Sequence, residues 1–394
     1  MAPHPPAPRQ VWRPLLALAA CIVYPSLTEV DKYFGLAGAA LYAAGVLAVV
    51  FLGYGAIGKG YARRITPRQS WVAAAVLLMG LCALFAVLHP VADVKEPGRG
   101  SDSDDALEIA ASELLAGRYP YYARTYLGNE ILPQPGAVLL DLPFVLLGNG
   151  AAQNLFWMAA LFGGLVWWLG DSRAALAFWC AFIMLSPAVF QNIVSGSDKT
   201  ANSIYVLLAL LGAFAAARPD QPRPGWLILA GAFLGVALSS RANFLLVAPI
   251  VAGALARRAG WRQAGVLTLA AAAAWALTTL PFFFYDPPAY TPLLGYEKLA
   301  QYDPFVPGFG IGVTTLAVLT CVTFAFLPNV VKAAPVLGRC AIVQAIAPLA
   351  VVFASSYANG RVDLTLTGYG MNFALLGAFA AFLEVRPSGR MGSQ

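Results

Sequence analysis

Charge is what this sequence has least of. Only 11% of its 394 residues are Asp, Glu, Lys or Arg, 59% are hydrophobic, and mean hydropathy is +0.69. Soluble domains carry about 25% charged residues, so a water-exposed globule is excluded. Histidine is nearly missing: His4 sits in a Pro-rich start, and His89 ends an apolar run, where it reads as an interfacial residue. The cysteines, Cys21, Cys82, Cys180, Cys321 and Cys340, are scattered, with no CxxC pair and no His/Cys cluster. Neither a disulfide framework nor a zinc site is expected. The apolar runs lack the polar–apolar alternation of outer-membrane barrel strands. No small-residue cleavage site follows the first run, so that run reads as a retained helix. No repeat argues for an inverted-repeat transporter. Asp141, in "AVLLDLPF", is the one acidic residue inside an apolar run, which leaves little for an ion path through the membrane.

What is present is a series of apolar runs of spanning length, which implies an all-α polytopic membrane protein. The first runs cover 11–28, 34–54 and 71–89. Basic residues cluster in the short loops between runs: Lys59, Arg63, Arg64 and Arg68; Arg218 and Arg223; Arg257, Arg258 and Arg262; Lys332 and Arg339. The net charge of +6 therefore reports topology, with these loops cytoplasmic, and nucleic acid is not an expected partner. Residues 90–133, 190–200, 239–243, 285–308 and 355–369 then face outward. Three apolar stretches, 134–148, 153–169 and 174–189, lie between two outward loops, so only two of them cross. The Pro-interrupted "LPQPGAVLLDLP" is the candidate for a re-entrant segment. The expectation is about twelve crossings, in one transmembrane unit over 11–385. A disordered cytoplasmic tail over 1–10 precedes it and a cytoplasmic tail over 386–394 follows.

The loop 90–133 is the longest polar segment and holds an acidic cluster. Asp102, Asp104 and Asp105 fall within four positions, ahead of "ALEIAASELLAG" and "RYPYYARTYLGN". The first part reads as a short amphipathic helix capped by Ser101 or Asp102 and stopped by Gly117. Acids in a first helical turn favour the macrodipole, which accounts for one or two carboxylates more easily than three. The aromatics alone fit an interfacial belt. Acids, bases and tyrosines together fit a pocket for a sugar and a phosphate.

The order Asp cluster, Ala-rich helix, "LLAGRYPYY", then "ILPQPGAVLLDLPFVLLG" resembles the C-type (GT-C) membrane glycosyltransferases, in particular the polyprenyl-phosphate-mannose-dependent glycosyltransferase family 87. "LSPAVFQNIVSGSDKTANSIYVLLALLGAF" and "GAFLGVALSSRANFLLVAPI" are similar to further segments of that family. The likeness covers roughly residues 90–285. The chain differs from it in two extra helices before the acidic loop, in Ala106 or Leu107 at a usual Tyr, and in "PQPG" for the commoner "YPPL".

The resemblance implies an inverting transfer of a hexose, mannose by likeness, from a polyprenyl phosphate to a lipid or glycan acceptor on the non-cytoplasmic face. Asp102 is favoured as general base by its distance from "LLAG", with Asp104 or Asp105 orienting it or holding the acceptor. Help of this kind is worth about 10²–10⁴-fold. Candidates for the donor phosphate are Arg118, Arg124, Lys199, Arg241 and Arg361, because Arg presents a bidentate fork to phosphate. Arg241 stands out, since positive-inside topology disfavours an Arg there; snorkelling to headgroups is the alternative. Candidates for sugar or acceptor are Tyr121, Tyr122, Gln134, Gln191, Asp198 and Glu297, the last in a possible lid over 285–308. Three Asp can hold a divalent cation through oxygen, but the resemblance implies that no cofactor is required. Membrane lipids are the surrounding partner. Ala and Gly richness suits a GC-rich bacterium and hence a plasma or inner membrane with both termini inside. The rival readings are a transporter or flippase of lipid-linked glycans, and a glycan ligase or polymerase.

Overall fold

The computed structural model describes residues 8–58, 64–95, 102, 104–218, 223–295, 297–328 and 331–386. Residues 1–7 and 387–394 of the expected tails, Ser101 and residues 59–63 lie outside the described residues, while Pro8–Gln10, expected in a disordered tail, begin the first helix. The elements are α1 Pro8–Val23, α2 Leu27–Gly58, α3 Pro67–Ala92, α4 Asp105–Leu115, α5 Pro135–Leu146, α6 Gln153–Leu169, α7 Ser172–Met184, α8 Pro187–Val194, α9 Lys199–Ala216, α10 Pro224–Leu238, α11 Val247–Ala259, α12 Trp261–Tyr285, α13 Glu297–Ala300, α14 Phe309–Phe326, α15 Ala333–Asn359 and α16 Met371–Val385. Among the described residues the only β pairing is an isolated bridge between Arg124 and Glu130. The protein is all-helical. Among the described residues, nine helices are long and apolar enough to cross a membrane, ten if the bent pair α7–α8 is one span.

The breaks have local causes. α7 and α8 meet at 76° where Pro187, at the first position of α8, has no N–H to continue the ladder. The first two apolar runs emerge as α1 and α2, joined by a 3₁₀ turn at Tyr24–Ser26. α2 is itself kinked at Gly35, whose φ of 65° and ψ of −177° are conformations that Gly adopts without a Cβ clash.

Burial separates centre from periphery. The apolar window of α9 is 72% buried inside the protein, that of α3 only 11%. α9 is the hub, packed against α6, α10 and α16, while α3 turns most of its apolar surface outward, as a lipid-facing helix does. α10 and α12 form the most extensive helix pair. Gly231 and Gly235, one turn apart on α10, face the backbone carbonyls of Leu267 and Ala271 so closely that a Cβ at either would strike them. Small residues at this spacing let helices approach where lipid offers no hydrophobic drive.

Cross-chain contacts define two polar ends. At one end Thr28 meets Leu364 and Thr367, His89 meets Val194, Asn154 meets Ser197 and Asp198 meets Arg241. The long loop closes over this end, and Thr291 of the second loop bonds the Ile131 carbonyl of the first. At the other end Ser172 meets Pro67, Gln263 meets Arg218 and Arg257 meets Ala325. α5 begins and returns at the loop-bearing end. Gln134 N–H and Gly136 N–H donate to the carbonyls of Ser240 and Ser239, and Gly150, just beyond α5, donates to Glu108 of α4. Its twelve residues extend about 18 Å, short of a bilayer's roughly 30 Å core.

Candidate functional site

α4 is capped by Asp104 and not by Ser101 or Asp102. The Asp104 carbonyl accepts the N–H groups of Leu107 and Glu108, and its Oδ1 accepts from the N–H of Asp105. Asp105 and Glu108 fall in the first turn, where the macrodipole favours acids. Gly117, at φ 70°, stops the helix as expected. One face of α4 packs Leu107, Ala110 and Ala111 into a small apolar cluster with Tyr119, Tyr121 and Tyr290, which roots the loop on α5 and the second loop.

The three aspartates diverge. Asp102 is half-buried, and its Oδ2 accepts from Thr125 Oγ1 at 2.8 Å and Asn129 Nδ2 at 2.7 Å; no described residue bonds Oδ1. Asp104 is 2% exposed and its Oδ2 has no hydrogen-bond partner. Burial first, and the charge of Asp93 second, push the Asp104 carboxyl up to about 7, as expected for a carboxylate denied water. Asp105 is buried against Lys95, whose Nζ lies 2.7 Å from Oδ1. Asp102 is thus the one of the three on an accessible rim, and its geometry suits a base. Asp104 and Asp105 lie behind it, which moves them out of the acceptor-holding role the sequence offered.

Among the expected phosphate ligands, Arg241 and Lys199 come together and the others do not. Arg241 Nη2 reaches both oxygens of Asp198, 2.6 Å from Oδ1. Asp198 also accepts from Asn202 at 2.9 Å, and Asn202 in turn takes the Tyr205 hydroxyl. Asp198 is 3% exposed, so it must be compensated. It is therefore the arginine's partner rather than a sugar ligand. Lys199 lies over the Tyr369 ring at 4.9 Å and feels the charges of Asp198 and Arg241. Arg118 is instead forked onto Glu113 at 2.5 and 2.7 Å. Arg124 is held by Glu130 and the Gly128 carbonyl. Both are exposed and satisfied within their own loop. Arg361 is exposed, with no partner among the described residues.

The expected sugar ligands also separate. Tyr121 is buried in the apolar cluster with its hydroxyl on the Pro133 carbonyl. Exposed Tyr122 donates to Asp286 at 2.8 Å. Gln134 is buried with Oε1 unpartnered, Gln191 is half-buried, and Glu297 is exposed. Next to Glu297, Lys298 feels the charges of Arg241, Asp102 and Glu130.

An apolar cleft of about 160 Å³ opens between α10, α11 and α12, lined among others by Leu238, Leu245, Val251 and Trp275. Leu238 and Leu245 of this lining flank Arg241 in sequence, and the lining holds no charged side chain.

Sequence reasoning missed His89, Asp93, Lys95, Thr125, Asn129 and Lys298. His89 is 5% exposed, not interfacial. Its Nδ1 lies 2.9 Å from the Val194 carbonyl and Phe85 stacks on it at 4.5 Å. The signal was the stretch "HPVADVKEP", in which an imidazole in the last turn of α3 is followed four residues on by a carboxylate and two further on by an ammonium. The chain matches no family model, no curated protein and no solved structure.

Proposed function

We propose that this protein is an integral-membrane inverting glycosyltransferase that moves a hexose from a polyprenyl phosphate to a lipid or glycan acceptor at its loop-bearing end. The observation that carries the reading is the gathering of Arg241 and Lys199 at the loop-bearing end, where Asp102 is held by Thr125 and Asn129 and Lys298 feels the charges of both Arg241 and Asp102. The cations take the phosphate, as charge-assisted contacts favour. Asp102, aimed by Thr125 and Asn129, removes the proton of the acceptor hydroxyl. The hydroxyl oxygen bonds to the anomeric carbon as the carbon–oxygen bond to the phosphate breaks. The lipid phosphate leaves with the electron pair, and the configuration inverts. Mannose is the sugar by resemblance alone.

The topology that goes with this reading is a GT-C-like arrangement of twelve crossings: α1, the part of α2 after Gly35, α3, α6, α7–α8, α9, α10, α11, α12, α14, α15 and α16, with α5 re-entrant. Both termini are then cytoplasmic and the site faces outward from a bacterial plasma membrane, with no metal in the transfer step.

A transporter of lipid-linked glycans is the second reading, favoured by Asp141. This carboxylate is fully buried in α5 with both oxygens unpartnered, as in proton relays. The deciding experiment reconstitutes the protein in vesicles with radiolabelled polyprenyl-phosphate mannose and a membrane lipid extract. Radiolabel in a new lipid or glycan product supports the transferase. Donor that changes leaflet without product, and does so only with Asp141 intact, replaces it with the transporter.

A further inference from the structure

The carboxylate that the transfer reading leaves unused is Asp104. Its Oδ2 is buried and has no hydrogen-bond partner, yet it points at His89 Nε2 across 3.9 Å, too far for a hydrogen bond. Asp93, at the end of α3, closes the group: one ligand atom from each of His89, Asp93 and Asp104 lies within 4.8 Å of the others. Asp93 Oδ1 is also buried without a hydrogen bond.

The tautomer of His89 is fixed by its neighbour. A backbone carbonyl only accepts, so Nδ1 must carry the proton it gives to Val194. Neutral His89 then turns the lone pair of Nε2 toward Asp104. An imidazole held by a carbonyl on its far nitrogen is the usual outer support of a metal ligand. The stacked Phe85 ring fixes its plane. The fourth wall is the turn after α8: Gly196, at φ 70°, packs so tightly on Asp104 that a Cβ there would strike the Asp104 side chain.

Among the described residues, Asp93, Asp104 and Asp105 face one ammonium, Lys95, which is committed to Asp105 at 2.7 Å while standing 4.0 Å from Asp93. A dication between His89, Asp93 and Asp104 would supply positive charge and the missing partners together.

We propose that His89, Asp93 and Asp104 bind one divalent transition-metal cation of the Zn²⁺ or Mn²⁺ type, which clips the start of the long loop to the end of α3. One imidazole with two carboxylates and no thiolate suits these borderline cations over Cu⁺, and over Mg²⁺ or Ca²⁺ with their all-oxygen shells. Bonds of about 2.1 Å place tetrahedral ligand atoms about 3.4 Å apart, so His89 and Asp104 close by roughly 0.5 Å. Three protein ligands leave a position for water. The site stands whether or not the protein transfers sugars, because its role is to hold the loop.

The test strips full-length protein in nanodiscs with a chelator, then equilibrates it with Zn²⁺ alone and Mn²⁺ alone. Bound metal is counted by mass spectrometry, and thermal unfolding is followed with and without the ion. Wild type takes up one equivalent and melts at a higher temperature with it. Losing an outer partner alone costs about 10–100-fold in metal affinity, so His89→Gln, Asp93→Asn and Asp104→Asn each lose at least that, along with the metal-dependent rise in melting temperature. Asp171→Asn, at the other end of the molecule, binds as wild type does. If Asp104→Asn fails to fold, the half-buried Asp93→Asn gives the same reading. Wild type without stoichiometric metal, or binding equal in all variants, overturns the proposal.

Discussion

At the end opposite the long loop, where Arg173 also pairs with Asp171, arginines meet carbonyls. Arg218 donates to Ala215 at the end of α9, Arg257 to Ala325 and Arg339 to Phe324 at the end of α14, and Arg386 to Leu169 at the end of α6. At the loop-bearing end the central arginine meets a carboxylate, Arg241 on Asp198, and further carboxylates lie buried beside it. The first pattern is helix C-capping: cations satisfy the last carbonyls and the negative end of the macrodipole. It holds helices and sets orientation. The second pattern keeps charges in a low-dielectric setting that folding alone would not select, since a buried ion pair rarely outweighs its desolvation. On the proposed reading, the difference separates residues that serve topology from residues that serve chemistry, although both appear in the sequence as arginine beside an apolar run.

The sharpest way to break this contrast is Arg241→Gln. It leaves Asp198 buried without its cation, and the loss of unfolding free energy should be about 3–5 kcal/mol. Adding Asp198→Asn should restore much of it while leaving phosphate binding impaired. Denaturant unfolding of the single and double variants checks this. Arg257→Gln at the opposite end should cost only about 1 kcal/mol, the scale of one helix-terminal contact, with donor binding unchanged. Equal losses at the two ends would erase the distinction.

The helical body was legible in the sequence because lipid imposes it: apolar runs, basic loops and the proline-broken α5 all carry strong local signals. Of the expected residues, Lys199 and Arg241 come together because each starts or adjoins a helix at the same end. Arg118 and Arg124 looked equally suitable, but Glu113 and Glu130, five and six residues away in the same loop, satisfy them first. That competition was readable from "SELLAGR" and "RTYLGNE". The pairing of Asp198 with Arg241 spans 43 positions and has no local signature. His89 was missed because an apolar run that ends in His reads the same whether its exit faces headgroups or a folded loop.

The smallest effect concerns a second carboxylate at the loop-bearing end. Bonds from Ser355, from Thr365 and from Asn359 hold Asp363 down to about 2, opposite in direction to Asp104. A folded value below the unfolded 3.8 means stabilisation that is present above about pH 4 and is lost as pH falls toward 2. Asp363 is largely solvated, so the contribution is at most about 1 kcal/mol. Melting curves of wild type and Asp363→Asn should differ at pH 6 and converge near pH 2.

The central claim, that the loop-bearing rim performs chemistry on a phosphate-linked sugar, is met most directly by separating binding from turnover in Asp102→Asn. The measurement is donor binding and single-turnover transfer on the same nanodisc preparation with radiolabelled polyprenyl-phosphate mannose. The account predicts donor affinity within about twofold of wild type and transfer slowed by roughly 10² or more, the share of a general base. Transfer at the wild-type rate in Asp102→Asn would contradict it, as would loss of donor binding in a variant that folds normally.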